Sequence, residues 1–96
     1  MVVLSDRYQK DPSLVSREIA GEVILVPIRQ NTGDQASIYT LNETAAFAWT
    51  LVDGKRTLEE IREQIVNEFN VQVEPAGEDL LELVGGLQEI GAVNKI

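Results

Sequence analysis

The segment from Ile38 to Ile61, IYTLNETAAFAWTLVDGKRTLEEI, contains the change from strand to helix that decides the fold. It opens with an alternating run and passes at Asn42 into helix-forming residues. The Asn42 side chain can accept a hydrogen bond from the first turn of that helix. The pair Asp53-Gly54 is expected to end the helix, with the glycine as a left-handed cap. Thr57 and Glu60 then form the T-x-x-E pattern of a capping box, so the segment predicts a strand followed by a helix-turn-helix.

Apolar residues at three- and four-residue spacings predict the second and third helices. In the second helix these residues are Leu58, Ile61, Ile65 and Phe69. The third helix is predicted from Pro75 to Ile90, with Gly91 beyond its end, on the spacing of Leu80, Leu83, Val84, Leu87 and Ile90. The final residues, AVNKI, are expected to form a terminal strand.

Three short strands are predicted before the first helix. The runs LVSREI (14–19) and VILVPI (23–28) are joined by a turn at AGE, and a polar loop leads to SIYTL (37–41). Pro27 has no N–H to donate, so it is expected near the end of its strand or at a bulge. Residues 1–11 show no sustained period and are predicted to be a loosely ordered N-terminal arm, which leaves 12–96 as one domain. The predicted fold is α+β, with a three-stranded antiparallel sheet packed on a three-helix winged helix-turn-helix.

Composition restricts the chemistry that the chain can perform. Its 96 residues include no His and no Cys, so the usual general bases, thiol nucleophiles and zinc ligands are missing. We therefore expect no catalytic residues, no cofactor and no metal. A formal net charge of −8 opposes binding to nucleic acid. Without a signal-peptide pattern or a long apolar run, the chain is expected to be cytoplasmic, with no membrane partner.

Four motifs follow one another in an informative order: GEVILVPI, the segment IYTLNETAAFAWTLVDGKRTLEEI, EFNV and DLLELVGGLQEIGAV. The most specific string among them is Y-x-L-N-E-x-A-x-x-x-W-x-L-x-D-G-x-R-T, from Tyr39 to Thr57, although most of it encodes caps and core. In order and spacing, residues 14–93 resemble PqqD-like proteins. These proteins are also called RiPP recognition elements, after ribosomally made, post-translationally modified peptides.

The resemblance implies a fold, a function and partners. Family members are similar in having a three-stranded sheet on a winged helix-turn-helix. They are non-catalytic chaperones that bind the leader of a precursor peptide as an added strand, in a cleft between the third strand and the third helix. They present this precursor to a modifying enzyme, often a radical-SAM protein or a leader peptidase.

The candidate binding residues lie on the third strand and the third helix. Strand addition needs an edge with free N–H and C=O groups, and SIYTL ends the predicted meander without a Lys or Pro that would block pairing. On the third helix, Leu81 lies about 100° from the core stripe, on a flank that could form a groove wall. The predicted peptide-binding residues are Ser37, Ile38, Tyr39, Thr40, Leu41, Leu81, Val84, Gly85 and Gln88.

Several alternatives remain open at this point. Inside a helix, Gly85 and Gly86 each cost on the order of 1 kcal/mol relative to alanine. Their presence would be explained by close approach of another backbone, by tight packing against the sheet, or by a helix that kinks or ends early. Phe47 and Trp49 are interpreted as core residues rather than a ligand-stacking pair. The free edge could also pair with its own copy and form a homodimer.

Two other functions are considered. A winged-helix DNA-binding regulator fits the outline of the fold, but the predicted third helix contains no basic residue. A small acidic carrier protein is suggested by DPSL, but Ser13 precedes the predicted sheet instead of a helix.

Overall fold

The part of the chain that the structure describes folds into three helices, a three-stranded sheet and a two-stranded sheet. The computed structural model describes residues 2–12, 14–20, 22–27 and 39–96. The strands are β1 (Tyr8–Lys10), β2 (Leu14–Ile19), β3 (Glu22–Pro27), β4 (Tyr39–Leu41) and β5 (Val93–Lys95), and the helices are α1 (Glu43–Thr50), α2 (Leu58–Phe69) and α3 (Val73–Glu89). The predicted α+β class is confirmed, and the terminal strand forms where AVNKI predicts it.

The larger sheet is an antiparallel meander in the order β2-β3-β4, as predicted. Leu25 pairs with Tyr39 and Val23 pairs with Leu41, so these four side chains lie on one face of the sheet. Leu25 and Leu41 are buried, which shows that this face meets the helices. Pro27 is the last residue of β3, where the lack of an N–H does not interrupt the ladder.

The caps of the helix-turn-helix segment follow the prediction. The Ala45 N–H donates to Asn42 Oδ1 at 2.8 Å. The Thr57 N–H donates to Glu60 Oε1 at 2.8 Å, and the Glu60 N–H donates back to Thr57 Oγ1 at 3.2 Å, which completes the capping box. Gly54 has the predicted left-handed conformation, with φ of 79°, but it lies four residues beyond the end of α1. It shapes the turn into α2 rather than capping α1 directly.

The hydrophobic core lies between the three helices and the inner face of the sheet. Trp49 is 6% exposed and supplies bulk to this core, as interpreted from the sequence. Phe47 is half-buried and meets Phe69 of α2 edge to face, with 5.4 Å between ring centroids. The largest fully buried side chains are Tyr8, Leu25, Leu41, Leu58, Ile61, Leu87, Val84 and Val93.

The N-terminal segment differs from the prediction of a loosely ordered arm. β1 pairs with β5, and Tyr8 is only 2% exposed. The segment also satisfies donors in the first turn of α2, because the Leu58 N–H donates to the Asp6 carbonyl and the Glu59 N–H donates to the Leu4 carbonyl. The sequence does not predict β1, because three residues are too few to show an alternating pattern and its partner, β5, is distant in the sequence.

Candidate functional site

β4 forms one edge of the larger sheet, since only β3 pairs with it among the described strands. Tyr39 is half-buried on the inner face, and Leu41 is a core residue. Thr40 pairs with Ile24 on the opposite, outward face and is exposed. Ser37 and Ile38, predicted as the beginning of this strand, lie outside the described residues, as does Ser13. The structure therefore describes a three-residue edge.

A cleft of about 600 Å³ opens beside this edge, between α1 and α3. Tyr39 of β4 lines it, which makes the cleft contiguous with the strand edge. Its floor is apolar and includes the buried side chains of Ala48, Ile65, Ala76 and Leu80. The lining residues are Tyr39, Asn42, Thr44, Ala45, Ala48, Ile65, Val71, Pro75, Ala76, Asp79, Leu80, Glu82 and Leu83. A mainly apolar concavity with a few polar groups is the usual form of a binding site.

The cleft uses a different flank of α3 from the predicted one. Leu83 lines the cleft. In the sequence, Leu81 comes two residues before Leu83, and Gly85 comes two residues after it. Two residues correspond to about 200° of helix rotation, so both point to the other side of α3. Leu81 packs against the edge of the core, and Gln88 is exposed. Among the predicted binding residues on α3, none lines the cleft.

Val84 is 1% exposed and belongs to the core stripe between these two flanks. On this side of α3 the cleft is lined by Asp79, Leu80, Glu82 and Leu83, none of which is among the residues predicted to bind peptide. The two flanks of the core stripe of α3 have similar residues. One flank has Leu81 and Gly85, and the other has Leu83 and Gly86. Glu82 and Asp79 lie with Leu83 at helical spacing, but a carboxylate pair on a helix is ordinarily a solvated surface. No signal in this pattern selects the flank that faces β4.

Gly86, not Gly85, makes the close contact in the Gly-Gly pair. A Cβ on Gly86 would lie 2.8 Å from the Tyr39 hydroxyl oxygen, well inside van der Waals contact. A Cβ on Gly85 would meet nothing within 4 Å. Of the explanations left open by the sequence, packing of α3 against the sheet therefore accounts for Gly86. The contact also fixes how closely α3 approaches the strand edge.

The charged side chains of the cleft are acidic. Asp79 and Glu82 are its only charged lining residues among those the structure describes, and both are exposed. Neither forms an ion pair with another described residue. Arg62, the single basic residue of α2, is held by Glu63 at 3.0 Å and Glu59 at 3.7 Å. The helices thus present carboxylates and one guanidinium that is ion-paired with carboxylates of its own helix, which disfavours a DNA groove as a partner.

The groups with shifted pKa values lie away from the cleft, around the N-terminal segment and the turn before α2. The N–H of Arg56 donates to Asp53 and contributes most to lowering the pKa of that carboxyl. The N–H of Val3 donates to Asp6 and contributes most to lowering the pKa of the Asp6 carboxyl. Burial lowers the pKa of Lys10, whose Nζ lies 5.1 Å from the Trp49 ring centroid. Turn geometry and packing explain these shifts.

The described ranges contain neither a membrane-spanning helix nor a metal-binding cluster. Neither α1, α2 nor α3 has both the length and the apolar character needed to span a bilayer. Across the same residues, no group of three carboxylates is arranged to hold a metal ion.

Comparison with known proteins gives one family and one solved structure. The PqqD family model, described as coenzyme PQQ synthesis protein D, matches residues 22–93. No curated protein matches the chain. The fold is similar to that of TbiB1 in complex with the TbiA(beta) leader peptide, with a TM-score of 0.74 and 21% identity over 90% of this chain and 94% of that chain. Since the family model covers most of the sequence, the predicted resemblance is confirmed: the chain belongs to the PqqD family.

Proposed function

We propose that this protein is a RiPP recognition element, which binds the leader segment of a precursor peptide and presents it to a modifying enzyme. Family membership supports this function, and so does the similarity in fold to a protein solved with a leader peptide. The observation that carries the proposal is the position of the β4 edge beside an apolar cleft. An extended segment can pair with the edge through its backbone and place side chains in the cleft.

The proposed binding mode is strand addition. β4 has a neighbour on one side only among the described strands, so its outward N–H and C=O groups are available to a peptide. Thr40 is exposed on the outward face, and Tyr39 lies at the cleft on the inner face. Alternate residues of an added strand would therefore face solvent and α3 in turn.

The proposed role has no chemical step of its own. The chain has no His or Cys, and the lining of the cleft contains no pair of nucleophile and base. A separate enzyme would act on the bound precursor. Incubation of the protein alone with a precursor peptide should leave the mass of that peptide unchanged.

A titration tests the proposal. The ¹⁵N-labelled full chain is mixed with the synthetic leader of the precursor peptide encoded nearest its gene. We expect shifts in the amide signals of Tyr39–Leu41 and Asp79–Leu83, which border the cleft, and no shifts in β1 and β5, which lie outside it. Binding that leaves the β4 signals unchanged, or shifts confined to another surface, would contradict the proposal.

A further inference from the structure

The rim of the cleft carries charge of one sign, and this restricts the peptide that it can hold. Asp79 and Glu82 stand one helical turn apart on α3, beside the apolar floor formed by Leu80 and Leu83. No lysine or arginine is among the lining residues that the structure describes. Any acidic side chain in the cleft would meet these two carboxylates without a compensating cation.

We propose that the cleft selects a leader segment in which an apolar side chain and a lysine or arginine face α3 together, with the basic head group held between Asp79 and Glu82. This inference rests on the proposed peptide-binding function and specifies the chemistry of the peptide. The two carboxylates are exposed and without an ion-pair partner among the described residues, so a basic side chain displaces no existing contact.

The dimensions of the cleft agree with this segment. The wall of α3 from Pro75 to Leu83 is about 12 Å long at about 1.5 Å per residue, which matches roughly four residues of extended chain. In an added strand only alternate residues face the same side, so the apolar and basic positions should be two residues apart. The stem of a lysine or arginine can lie along Leu83 while its charged end reaches the carboxylates at the rim.

Charge at the rim, rather than the net charge of the protein, is the property to be tested. The double variant Asp79→Asn/Glu82→Gln removes both rim charges. The control Glu78→Gln/Glu89→Gln removes the same charge from exposed positions of α3 that do not line the cleft. Both changes raise the net charge by two, so any difference between them reports on the rim itself.

The probes are peptides selected from a displayed library of random ten-residue sequences against the full wild-type chain. Selected peptides are then synthesised, and their site is mapped by the amide shifts of β4 and of Asp79–Leu83. We expect cleft-binding sequences with a lysine or arginine two residues from an apolar residue. Their affinity should fall about threefold to tenfold in the rim variant and remain within about twofold in the control, and the loss should shrink at high salt.

The possible outcomes separate the two proposals. Cleft-binding peptides without basic residues, or equal losses in the rim and control variants, would overturn the charge selection and leave the peptide-binding function standing. Selected peptides that bind away from the cleft, or a selection that yields no binder, would overturn the peptide-binding function and the charge selection with it.

Discussion

The contact between Gly86 and Tyr39 predicts a coupling that can be measured without any ligand. Gly86→Ala places a Cβ 2.8 Å from the Tyr39 hydroxyl oxygen, but 3.6 Å from Cζ and 3.7 Å from Cε2 of the same ring. Only the hydroxyl is too close. Tyr39→Phe removes that atom and leaves the ring at an ordinary van der Waals distance, so the second substitution should relieve the first.

The magnitude follows from two opposing terms. Replacing glycine by alanine inside a helix stabilises it by about 1 kcal/mol. Overpacking a close contact costs roughly 1–3 kcal/mol. In the wild type, Gly86→Ala should therefore change the free energy of unfolding by between about 0 and −2 kcal/mol. In the Tyr39→Phe background, Gly86→Ala should raise the free energy of unfolding by about 1 kcal/mol. The coupling energy between the two substitutions is therefore expected to be at least about 1 kcal/mol.

Urea unfolding of the four proteins, followed by circular dichroism and by fluorescence of the single, buried Trp49, measures the cycle. Gly85→Ala is the matched control, because its Cβ has open space and should stabilise by about 1 kcal/mol in either background. Equal stabilisation by Gly86→Ala with and without the Tyr39 hydroxyl would refute the contact, and with it the packing of α3 beside the edge of β4.

Four further predictions concern the caps, the N-terminal segment, the carboxylates and the cleft. Thr57→Ala should cost about 1 kcal/mol of stability in urea unfolding without changing peptide affinity, because it removes the capping box, and neither Thr57 nor Glu60 lines the cleft. Tyr8→Ala should cost about 3–5 kcal/mol by the same assay, whereas a loosely ordered arm would show almost no loss. The folded state holds the pKa of Asp53 below its ordinary value, so its carboxylate stabilises the fold at neutral pH. This contribution disappears as the pH falls through the lowered pKa. Asp53→Asn should therefore lower the free energy of unfolding at pH 7 and weaken the dependence of that free energy on pH between pH 7 and pH 3. Leu83→Glu should weaken peptide binding at least tenfold by calorimetry, while Leu81→Glu, on the other flank of α3, should reduce stability and leave affinity unchanged.

Features determined by neighbours in sequence could be predicted from the sequence. The cap at Asn42 and the capping box at Thr57 involve side chains and N–H groups three residues apart, so the motif itself contains both partners. The strand at Leu14–Ile19 is also predicted at its observed bounds, since the turn at AGE follows its last residues. The order of elements in the sheet followed from these local patterns.

Features determined by packing between distant elements could not be predicted from the sequence. β1 forms because β5 lies beside it, and neither three-residue strand contains a pattern that identifies the other. The flank of α3 that borders the cleft depends on the rotation of the helix against the sheet. Because Leu81 and Leu83 are both half-buried at the sides of one apolar stripe, helical spacing alone does not distinguish them.

The most direct test of the central claim, strand addition to β4, is an N-methyl scan of the bound leader peptide. Methylation of one backbone nitrogen at a time removes a hydrogen-bond donor and keeps every side chain. In an added strand, alternate N–H groups point towards β4, so the loss of affinity should alternate with a period of two residues over about three to five positions. Losses that recur every three or four residues, or no dependence on backbone methylation, would contradict strand addition.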